Sequence, residues 1–306
     1  MKTINELKDD YSRKKINKHE FVAKMYDIHR RLFEYSKILK ETDISNIQVN
    51  DGQVIMTFRD SGVKMLLIEN DVSLPALTAL NHGNHEKEEL EMVLKIIRKN
   101  LKTLYNVFDI GANIGWFALH IASEFRNSKT FAFEPIPYAY NCMMNNIQLN
   151  KLKNIKAYNF GLADKNTQAK FYCELKRCSV SASMINITGA KKTNKIISKI
   201  KKLDDVAGAI SVSPDFIKCD VEGAELLVLK GGLKTIQKNK PIILIELLRK
   251  WAAKYNYHPN DIIDLLDDIG YRCYKIKNGR LIRFYRMNEK TAETNFFFLY
   301  PGKHRI

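Results

Sequence analysis

The sequence predicts a doubly wound α/β fold with a mostly parallel sheet, preceded by an N-terminal helix and a small β-meander. Two observations support this fold class. Short apolar runs alternate with helix-like segments from about Glu86 onward, and acidic residues stand where several of those runs end. Continuous apolar strands that alternate with helices are typical of parallel sheets with both faces covered. The last three strand-like runs lack long crossovers, so we expect an antiparallel C-terminal edge.

The N-terminal region carries two different periodicities. Apolar residues recur every three or four positions from Lys18 to Glu41, which predicts an amphipathic helix whose stripe is buried against the body or a partner chain. Short β-like runs then flank Asn50-Asp51-Gly52 and follow Asp60-Ser61-Gly62, so tight turns and a meander are expected. We therefore divide the chain into an N-terminal extension, residues 1–84, and a main domain, residues 85–306.

The main domain is predicted to alternate strands with helices. The strand-like runs are, in chain order, YNVFDIG, KTFAFEP, NIKAYNFGLAD, PDFIKCDVEG, KPIILIEL, YRCYKIK, LIRF and NFFFLY. The helical patterns are EKEELEMVLKIIRKN, WFALHIASEF, AYNCMMNNIQLN, AELLVLKGGLKTIQKN and NDIIDLLDDIG. The stretch Lys176–Ile200 is irregular, and the lysine-rich segment Lys191–Lys202 is expected to be a loop or a short helix.

Composition favours a soluble protein of the reducing cytoplasm. Apolar residues make up 45% of the 306 residues, which is enough for a sizeable core. The five cysteines are odd in number and form no CxxC, so neither a disulfide framework nor a structural zinc site is expected. The N-terminus is too polar for a signal peptide. No apolar run approaches the roughly 18 residues that span a bilayer.

The formal charge of +16 allows two interpretations. One is a polyanionic partner such as nucleic acid or an anionic membrane. The other, which we favour, is a lysine-rich background spread over solvated faces. Methylation of nucleic-acid bases usually involves a Pro-Pro-aromatic loop or a Pro-Cys nucleophile, and neither occurs here. Cys219 precedes Asp220 but points to the opposite face of its strand. We therefore expect no nucleic-acid partner.

The first strand of the main domain ends in a glycine loop, Asp109-Ile110-Gly111-Ala112-Asn113-Ile114-Gly115. Gly111 and Gly115 let the backbone turn sharply and approach a ligand without a Cβ in the way. The next strand ends in Glu134, whose carboxylate can accept hydrogen bonds from both hydroxyls of a ribose. Ligands of doubly wound folds bind beyond the carboxyl ends of the strands, so these residues predict a nucleotide-like cofactor.

Three cofactors compete for this site. A dinucleotide requires a glycine where Asn113 stands, and Asp109 repels a pyrophosphate. A nucleoside triphosphate requires GxxxxGK[ST], which is absent. S-adenosylmethionine has an adenosine but no phosphate, and Asp109 attracts its cationic sulfonium. We therefore predict S-adenosylmethionine. The alternative is an ordinary strand–helix turn with a solvated Glu134.

Further carboxylates gather at the ends of the next two predicted strands. Asp220, Glu222 and Glu225 follow one strand, and Glu246 ends the other, so they converge on the cofactor crevice. Methyl transfer requires alignment and removal of the acceptor proton. Asp220 and Glu222 are therefore the predicted catalytic carboxylates, with Glu246 in support. Glu225 is also explained as a first-turn helix residue, and a divalent metal at these carboxylates is a further alternative.

Several motifs in this order resemble the FkbM-type methyltransferases. They lie between about His85 and Leu247 and are DIGANIGWF, AFEP, NNIQLN, GLAD, LDDV, IKCDVEGAE, VLKGG and PIILIEL. The resemblance implies a class I methyltransferase fold with a mostly parallel seven-stranded sheet. It also implies S-adenosylmethionine as methyl donor and O-methylation of a sugar or another hydroxylated compound.

The resemblance also assigns residues to the cofactor. By position, those that would hold it are Glu86, Asp109, Gly111, Asn113, Gly115, Glu134, Gly161 and Leu162. We add Ala112 of the glycine loop and Asp220 to the predicted cofactor-binding residues. The glycine loop would face the methionine part, Glu134 the ribose, and Gly161 and Leu162 the adenine. Glu86 would reach the amino group. Ser181 and Ser183 fall in a variable loop of the family, so their role is open.

We therefore predict an S-adenosylmethionine-dependent O-methyltransferase that acts on a hydroxyl of a sugar, a glycan precursor or a similar hydroxylated metabolite. An RNA methyltransferase, an NAD-linked oxidoreductase and a non-catalytic scaffold are the alternatives. His258 is a further candidate base, although a helix-cap position also explains it. The expected partners are a small-molecule or glycan acceptor and, through the N-terminal helix, a second copy of the chain.

Overall fold

The computed structural model describes residues 2–69, 71–72, 74–100, 105–174, 182–185 and 193–306. The N-terminal elements are α1 (Ile4–Ser12), α2 (Lys18–His29), α3 (Arg31–Ile38), β1 (Ile44–Asn50), β2 (Gln53–Phe58), β3 (Lys64–Leu67) and α4 (Pro75–His82). The main domain begins with α5 (Lys87–Asn100), β4 (Asn106–Ile110), α6 (Trp116–Glu124), β5 (Lys129–Phe133), α7 (Pro137–Leu149), β6 (Ile155–Tyr158), β7 (Gly161–Ala163), β8 (Thr167–Glu174) and β9 (Thr193–Lys202).

The remaining elements complete the main domain. They are α8 (Leu203–Ile210), β10 (Phe216–Cys219), α9 (Glu225–Gly231), α10 (Leu233–Asn239), β11 (Ile242–Glu246), α11 (Arg249–Ala252), a 3-10 turn (Ala253–Tyr255), α12 (Pro259–Asp268), β12 (Arg272–Lys277), β13 (Arg280–Arg283) and β14 (Asn295–Leu299). None of the helices in the described ranges combines the length and apolar character that a membrane crossing requires.

The principal sheet has the predicted class I methyltransferase architecture. In the described chain its strand order is β13-β12-β14-β11-β10-β4-β5-β6. The five strands from β11 to β6 pair in parallel, and β14 pairs antiparallel with both β11 and β12. The last three strands, β12 to β14, therefore pair antiparallel as expected. β14, the last of them in sequence, lies between β12 and β11 rather than at the edge of the sheet. The hairpin strand β13 forms the edge and brings the count to eight.

Two apolar cores cover the two faces of this sheet. Side chains alternate along each strand, so Val107 faces one core and Phe108 the other. The first core contains buried residues of α4 to α7, and the second contains those of α8 to α10 and α12. Strands covered on both sides are apolar throughout, which is why their sequences contain uninterrupted apolar runs.

The N-terminal meander packs against the main domain through two asparagines of α7. The amides of Lys64 and Leu66 in β3 donate to Asn150 Oδ1 (2.8 Å) and Asn146 Oδ1 (3.0 Å). Asn146 Nδ2 donates in turn to the carbonyl oxygen of Ile114 in the glycine loop (3.0 Å). These side chains satisfy the free edge of β3. They also connect the meander to the predicted cofactor loop. A domain boundary after residue 84 stays a prediction.

The single N-terminal helix predicted from Lys18 to Glu41 is corrected in two respects. The chain forms α2 and α3 instead, and the last turn of α2 tightens at Arg30, where ψ is −18°. The apolar stripe is only half-buried, at Phe21, Met25, Ile28 and Leu39. It is exposed at Leu32 and Tyr35, because α1 covers only part of α2. Phe21 stacks on Tyr11 of α1, whereas Leu32 and Phe33 are 65% and 66% exposed.

Two predictions in the middle of the chain are also corrected. The run predicted as one strand, NIKAYNFGLAD, divides between β6 of the principal sheet and β7 of a separate sheet with order β7-β9-β8. The described part of Lys191–Lys202 is strand β9 rather than a loop or helix, because Ser198 and Ile200 face inward and Lys199 and Lys201 face solvent. This alternation has the two-residue period of a strand. Ser181 lies outside the described residues.

Gly231 tests the packing of α9 against β7. A Cβ at Gly231 would come within 1.9 Å of the carbonyl oxygen of Ala163. We expect Gly231→Ala to lower the free energy of unfolding by at least about 2 kcal/mol, because backbone must move to make room. The measurement is urea-induced unfolding.

Gly208→Ala is the matched control. Gly208 lies in α8 and a Cβ there would meet nothing within 4 Å, so alanine should raise stability by up to about 1 kcal/mol. Equal effects of the two substitutions would contradict the close contact between α9 and β7.

Candidate active site

A deep cleft lies at the carboxyl ends of β4, β5, β10 and β11. It has a volume of about 1230 Å³ when its mouth is counted. The predicted residues that line it are Glu86, Asp109, Gly111, Ala112, Asn113, Glu134, Gly161, Leu162, Asp220, Glu222 and Glu246. The cleft thus brings together most of the residues predicted for cofactor and catalysis. Gly115 and His258 are the two that it does not contain.

Gly111 makes the close approach that the glycine loop requires. Its φ is +78°, and a Cβ there would lie 1.8 Å from the carbonyl oxygen of Asp220. The amides of Gly111 and Ala112 both donate to the carbonyl oxygen of Phe133 at 3.0 Å. The loop is therefore held between the ends of β5 and β10, and no residue with a side chain fits at position 111.

Gly115 has a different role from the one expected. It begins α6 with a φ of +96°, and a Cβ there would meet Met143 (3.1 Å) and Leu119 (3.4 Å) rather than a ligand. Its missing side chain allows α6 to pack on α7. Asn113 in the same loop does line the cleft, and its φ is +52°. Its buried Oδ1 has no hydrogen-bond partner.

Asp109 lies beneath the loop, where its two carboxylate oxygens have different surroundings. Oδ2 accepts a hydrogen bond from the amide of Ala118 in the first turn of α6 (3.0 Å). Oδ1 is buried and has no partner in the structure. Burial raises the pKa of Asp109, while Lys218 and the Ala118 amide oppose that rise. An unpartnered buried carboxylate oxygen is costly, so a ligand that donates to Oδ1 is favoured.

Glu134 is held rigidly at the end of β5. Oε2 accepts from the amide of Asn113 and Oε1 from the amide of Ile136, each at 2.8 Å. Burial raises the pKa of Glu134 to about 7, although these two amides favour the charged form. Each oxygen retains a lone pair after these bonds. The carboxylate is therefore oriented to accept two further hydrogen bonds from a ligand in the cleft.

Asp220, Glu222 and Glu246 form an acidic cluster on the other side of the cleft. The side chains of Glu246 and Asp220 are hydrogen-bonded to each other. Burial first, and then the neighbouring carboxylates, raises the pKa of Glu246 to about 10 and that of Glu222 to about 8. At neutral pH Glu246 is therefore protonated and donates to Asp220. The predicted carboxylates are close enough to share protons.

Glu222 occupies a strained backbone conformation that its neighbours maintain. Its φ is +55°, which is uncommon for a residue other than glycine. Ser183 donates to the carbonyl oxygen of Glu222 (2.9 Å) and is hydrogen-bonded to the hydroxyl of Tyr255 (2.8 Å). Backbone strain of this kind persists only where surrounding contacts impose it. Ser183, whose role the sequence left open, thus helps to hold the backbone of Glu222 in this conformation.

Glu225 stabilises the turn after β10, which contains Asp220 and Glu222, through hydrogen bonds to its backbone. Oε1 accepts from the amides of Val221 (3.1 Å) and Gly223 (3.0 Å), and Oε2 accepts from the hydroxyl of Tyr257 (3.0 Å). Glu225 also begins α9, as its alternative interpretation requires. Its oxygens are occupied by the protein, so Glu225 shapes the turn and does not face the cleft.

The structure does not bring His258 to the cleft. His258 is exposed and caps α12, where Nδ1 accepts from the amide of Asn260 (3.1 Å). His258 therefore occupies the helix-cap position that was the alternative to a catalytic base.

His85 does line the cleft, and burial lowers its pKa to about 4, so its ring is neutral near pH 7. It lies 3.7 Å from the carboxylate of Glu86, whose pKa burial raises to about 7.

Lys218 is the charged residue of the cleft that the sequence analysis missed. It occupies the middle of β10, and its Nζ lies 3.0 Å from Asp220 Oδ2. A signal for it was present, because one lysine interrupts an otherwise apolar strand, FIKC, that is buried on both faces. A lysine in such a strand requires nearby carboxylates.

The residues of the cleft fit a cationic adenosine ligand without phosphate. Asp109 Oδ1 and Asn113 Oδ1 are buried acceptors without partners, and Glu134 can accept two more hydrogen bonds. The cluster of carboxylates would repel a pyrophosphate. Among the described residues no group of three or more His, Cys, Asp or Glu side chains has the arrangement of a metal site, so a divalent metal is not supported.

Sheet order and cleft position together define the class I methyltransferase fold. Within that class, the chain belongs to the FkbM methyltransferase family: the model of the methyltransferase FkbM domain matches residues 109–273, more than half of the chain. The matched range contains the glycine loop, Glu134 and the acidic cluster.

The individual proteins that we compare with this chain are each less than 30% identical to it. The chain is 28% identical over 142 residues to Methyltransferase 1 of Beauveria bassiana (strain ARSEF 2860), covering 41% of this chain and 57% of that protein. It is 29% identical over 163 residues to Methyltransferase sdnD of Sordaria araneosa, covering 43% and 62%. The crystal structure of Methyltransferase FkbM from Methylobacillus flagellatus KT aligns with a TM-score of 0.44 and 15% identity, over 89% of this chain and 60% of that one. The chain thus spans less than two thirds of each relative.

The raised pKa values predict how stability depends on pH. Glu246 titrates at about 10 and Glu222 at about 8 in the folded chain, against an ordinary value of 4.5. The folded chain therefore holds protons that the unfolded chain has lost. The stability linked to them is lost as pH rises through these values. We expect Glu246→Gln, which cannot titrate, to lose less free energy of unfolding than the wild type between about pH 7 and 10.

Urea unfolding at a series of pH values measures this difference. Glu293→Gln is the control, because Glu293 is half-buried and its hydrogen-bonded ion pair with Lys275 lowers its pKa, so it does not titrate in this window. A slope for Glu246→Gln equal to that of the wild type would show that Glu246 is already ionised in the folded chain.

Proposed function

We propose that the chain is an S-adenosylmethionine-dependent O-methyltransferase that acts on a hydroxyl of a sugar, a glycan precursor or a similar hydroxylated metabolite. The observation that carries this proposal is the placement of Asp109, Glu134 and the acidic cluster around one cleft at the carboxyl ends of four parallel strands. The family supports methyl transfer as the reaction, and the cleft supports the cofactor and the kind of acceptor.

The cofactor is held by charge at one end and by hydrogen bonds in the middle. Asp109 and Glu86 lie near the glycine loop, where they face the cationic methionine part, and Glu134 accepts from the ribose hydroxyls. Gly161 and Leu162 border the adenine end, next to the apolar side chains of Phe171 and Ile200 in the second sheet. This distribution of charge matches a ligand that is cationic at one end and apolar at the other.

The acidic cluster supplies the remaining requirement, an acceptor for a proton. When bound, S-adenosylmethionine supplies an electrophilic methyl group on a sulfonium. An acceptor oxygen that took this methyl group would release a neutral thioether, with the electron pair of the carbon–sulfur bond left on sulfur, and the hydroxyl would have to lose its proton. Glu222, whose backbone is held in one conformation and whose pKa is raised to about 8, can take that proton where its carboxylate is ionised, near and above pH 8. Asp220 and Glu246 orient the hydroxyl.

The acceptor is a neutral hydroxylated molecule in this proposal. On the acceptor side, the carboxyl oxygens of Asp220, Glu222 and Glu246 can form hydrogen bonds with hydroxyl groups, and each of them that is ionised repels a phosphate. A neutral sugar fits this lining better than a nucleic acid. A role in polysaccharide biosynthesis is consistent with such an acceptor.

The proposal extends to the assembly and its compartment. Leu32, Phe33 and other apolar side chains of α2 and α3 are exposed, and they support self-association through the N-terminal helices. The thiols of Cys142, Cys219 and Cys273 are free, which is consistent with a reducing cytoplasm. We keep residues 1–84 as an extension and residues 85–306 as the methyltransferase domain.

Substitutions at the two ends of the cofactor test its placement. Asp109→Asn removes the charge that faces the sulfonium and amino group, and Glu134→Gln removes an acceptor for the ribose. We expect each to weaken S-adenosylmethionine binding at least about tenfold, measured by isothermal titration calorimetry.

Asp215→Asn is the matched control. Asp215 also accepts a backbone amide, that of Asn106 (2.9 Å), but at the opposite end of β4, so binding should be unchanged. Normal affinity in both Asp109→Asn and Glu134→Gln would place the cofactor elsewhere.

The acidic cluster is tested through turnover. We expect Glu222→Gln to lower kcat at least about 100-fold, the usual scale for a lost general base, with little change in cofactor affinity. The measurement is release of S-adenosylhomocysteine with a panel of mono- and disaccharides as acceptors. Full turnover by Glu222→Gln would remove it as the base, and no release by the wild type with any saccharide would contradict the acceptor class.

A chelator tests the metal-free mechanism. Addition of EDTA to the wild-type enzyme should leave the turnover with that acceptor unchanged, because the described carboxylates do not form a metal site. Loss of turnover that Mg²⁺ restores would contradict this prediction.

A further inference from the structure

Lys218 lies in a buried part of the sheet, where a charged side chain is energetically unfavourable. It occupies the interior of β10, opposite Asp109 of β4 and Leu244 of β11, and its side chain is only 10% exposed. Transfer of an ammonium from water to such a place costs several kcal/mol unless other charges compensate for it. The compensation identifies the groups with which Lys218 interacts.

Carboxylates from five segments of the chain surround this ammonium. The closest contact is the 3.0 Å ion pair with Asp220, and the ring of Phe117 lies 5.2 Å from Nζ. The titratable groups that face Lys218 are His85, Glu86, Asp109, Glu134, Asp220, Glu222 and Glu246. These carboxylates outweigh the burial and raise the pKa of Lys218 above its ordinary value. Lys218 therefore stays charged.

The surrounding carboxylates depend on Lys218 in turn. Lys218 favours the charged form of Glu86, Asp109, Glu134, Glu222 and Glu246, and it is the cation that these five groups share. Removal of Lys218 would leave several carboxylates close together in a region of low dielectric. Like charges in such a region take up protons.

We propose that Lys218 is a positioning residue of the cofactor cleft, which fixes the carboxylate of Asp220 and keeps the carboxylate of Asp109 ionised, so that both carboxylates can face the cationic ligand. Asp220 is more exposed than Lys218, 26% against 10%, so the carboxylate lies between the ammonium and the open cleft. Asp109 uses one oxygen for α6 and leaves the other free. This inference rests on the proposed function for the identity of the ligand.

The pH dependence of cofactor binding tests the proposal. The probe is S-adenosylmethionine itself, titrated by calorimetry into the full chain between pH 5 and 9. A protonated carboxylate attracts the cation less, so affinity falls at low pH. We expect Lys218→Met to move the midpoint of that fall upward by at least about one pH unit, the usual effect of a nearby opposite charge on a carboxylate. Lys218→Arg, which keeps the charge, should restore part of the shift.

Lys275→Met is the matched control. Lys275 forms an ion pair with Glu293 at the far edge of the sheet, so its loss should leave the midpoint in place. A lower melting temperature of Lys218→Met with an unchanged midpoint would overturn the proposal, because it would show that the ammonium only stabilises the fold.

A second measurement separates this inference from the proposed function. Carbon-13 labelling of aspartate carboxyls reports the titration of Asp109 by NMR without any ligand. We expect this titration to move to higher pH in Lys218→Met, because Lys218 favours the charged form of Asp109. A wild type that fails to bind S-adenosylmethionine contradicts the proposed function, whereas an unmoved Asp109 titration contradicts the role of Lys218.

A double variant keeps the test available if Lys218→Met does not fold. Lys218→Met/Asp220→Asn removes both members of the ion pair and leaves no unpaired partner. Its reference is Asp220→Asn alone. The titration of Asp109 should lie at higher pH in the double variant than in this reference. Equal titrations would overturn the proposal.

Discussion

The close approach of Gly111 to the backbone of Asp220 determines the shape of the cleft. A Cβ at position 111 would lie 1.8 Å from the carbonyl oxygen of Asp220, so the loop after β4 and the turn after β10 touch through backbone alone. This contact places Asp109 and Asp220 in neighbouring walls of one cleft. The amides of Gly111 and Ala112 bind the end of β5, which brings Glu134 to the same place. Three acidic residues from three strands thus converge because one residue lacks a side chain.

Carboxylates that are buried close together must have their charge compensated by neighbouring donors and cations. Burial alone would keep them protonated, and the structure offsets it with backbone amides on Glu134 and Glu225, and with the ammonium of Lys218. The resulting cleft contains fixed acceptors and an excess of negative charge. A cationic ligand without phosphate suits such a cleft, and a polyanion does not.

The parts of the fold that follow from local pattern could be predicted from sequence. Apolar strands such as FIKC and IILIE identify the parallel sheet, and the acidic residues after them identify its functional edge. Exposure along the N-terminal stripe could not be predicted, because Leu32 and Tyr35 have the right spacing but no neighbouring surface. The positions of Gly115 and His258 could not be predicted either. A glycine suits a helix start as well as a ligand site, and a histidine suits a helix cap as well as a catalytic site. Lys218 was missed because a lysine suggests an exposed position, although its apolar neighbours in the strand indicated burial.

A crystal structure with bound S-adenosylhomocysteine tests the central claim most directly. The account predicts both ribose hydroxyls within hydrogen-bond distance of Glu134 and the amino group beside the free oxygen of Asp109. The sulfur should face Asp220 and Glu222. A cleft closed by side chains, or a ligand whose ribose lies away from Glu134, would contradict the account.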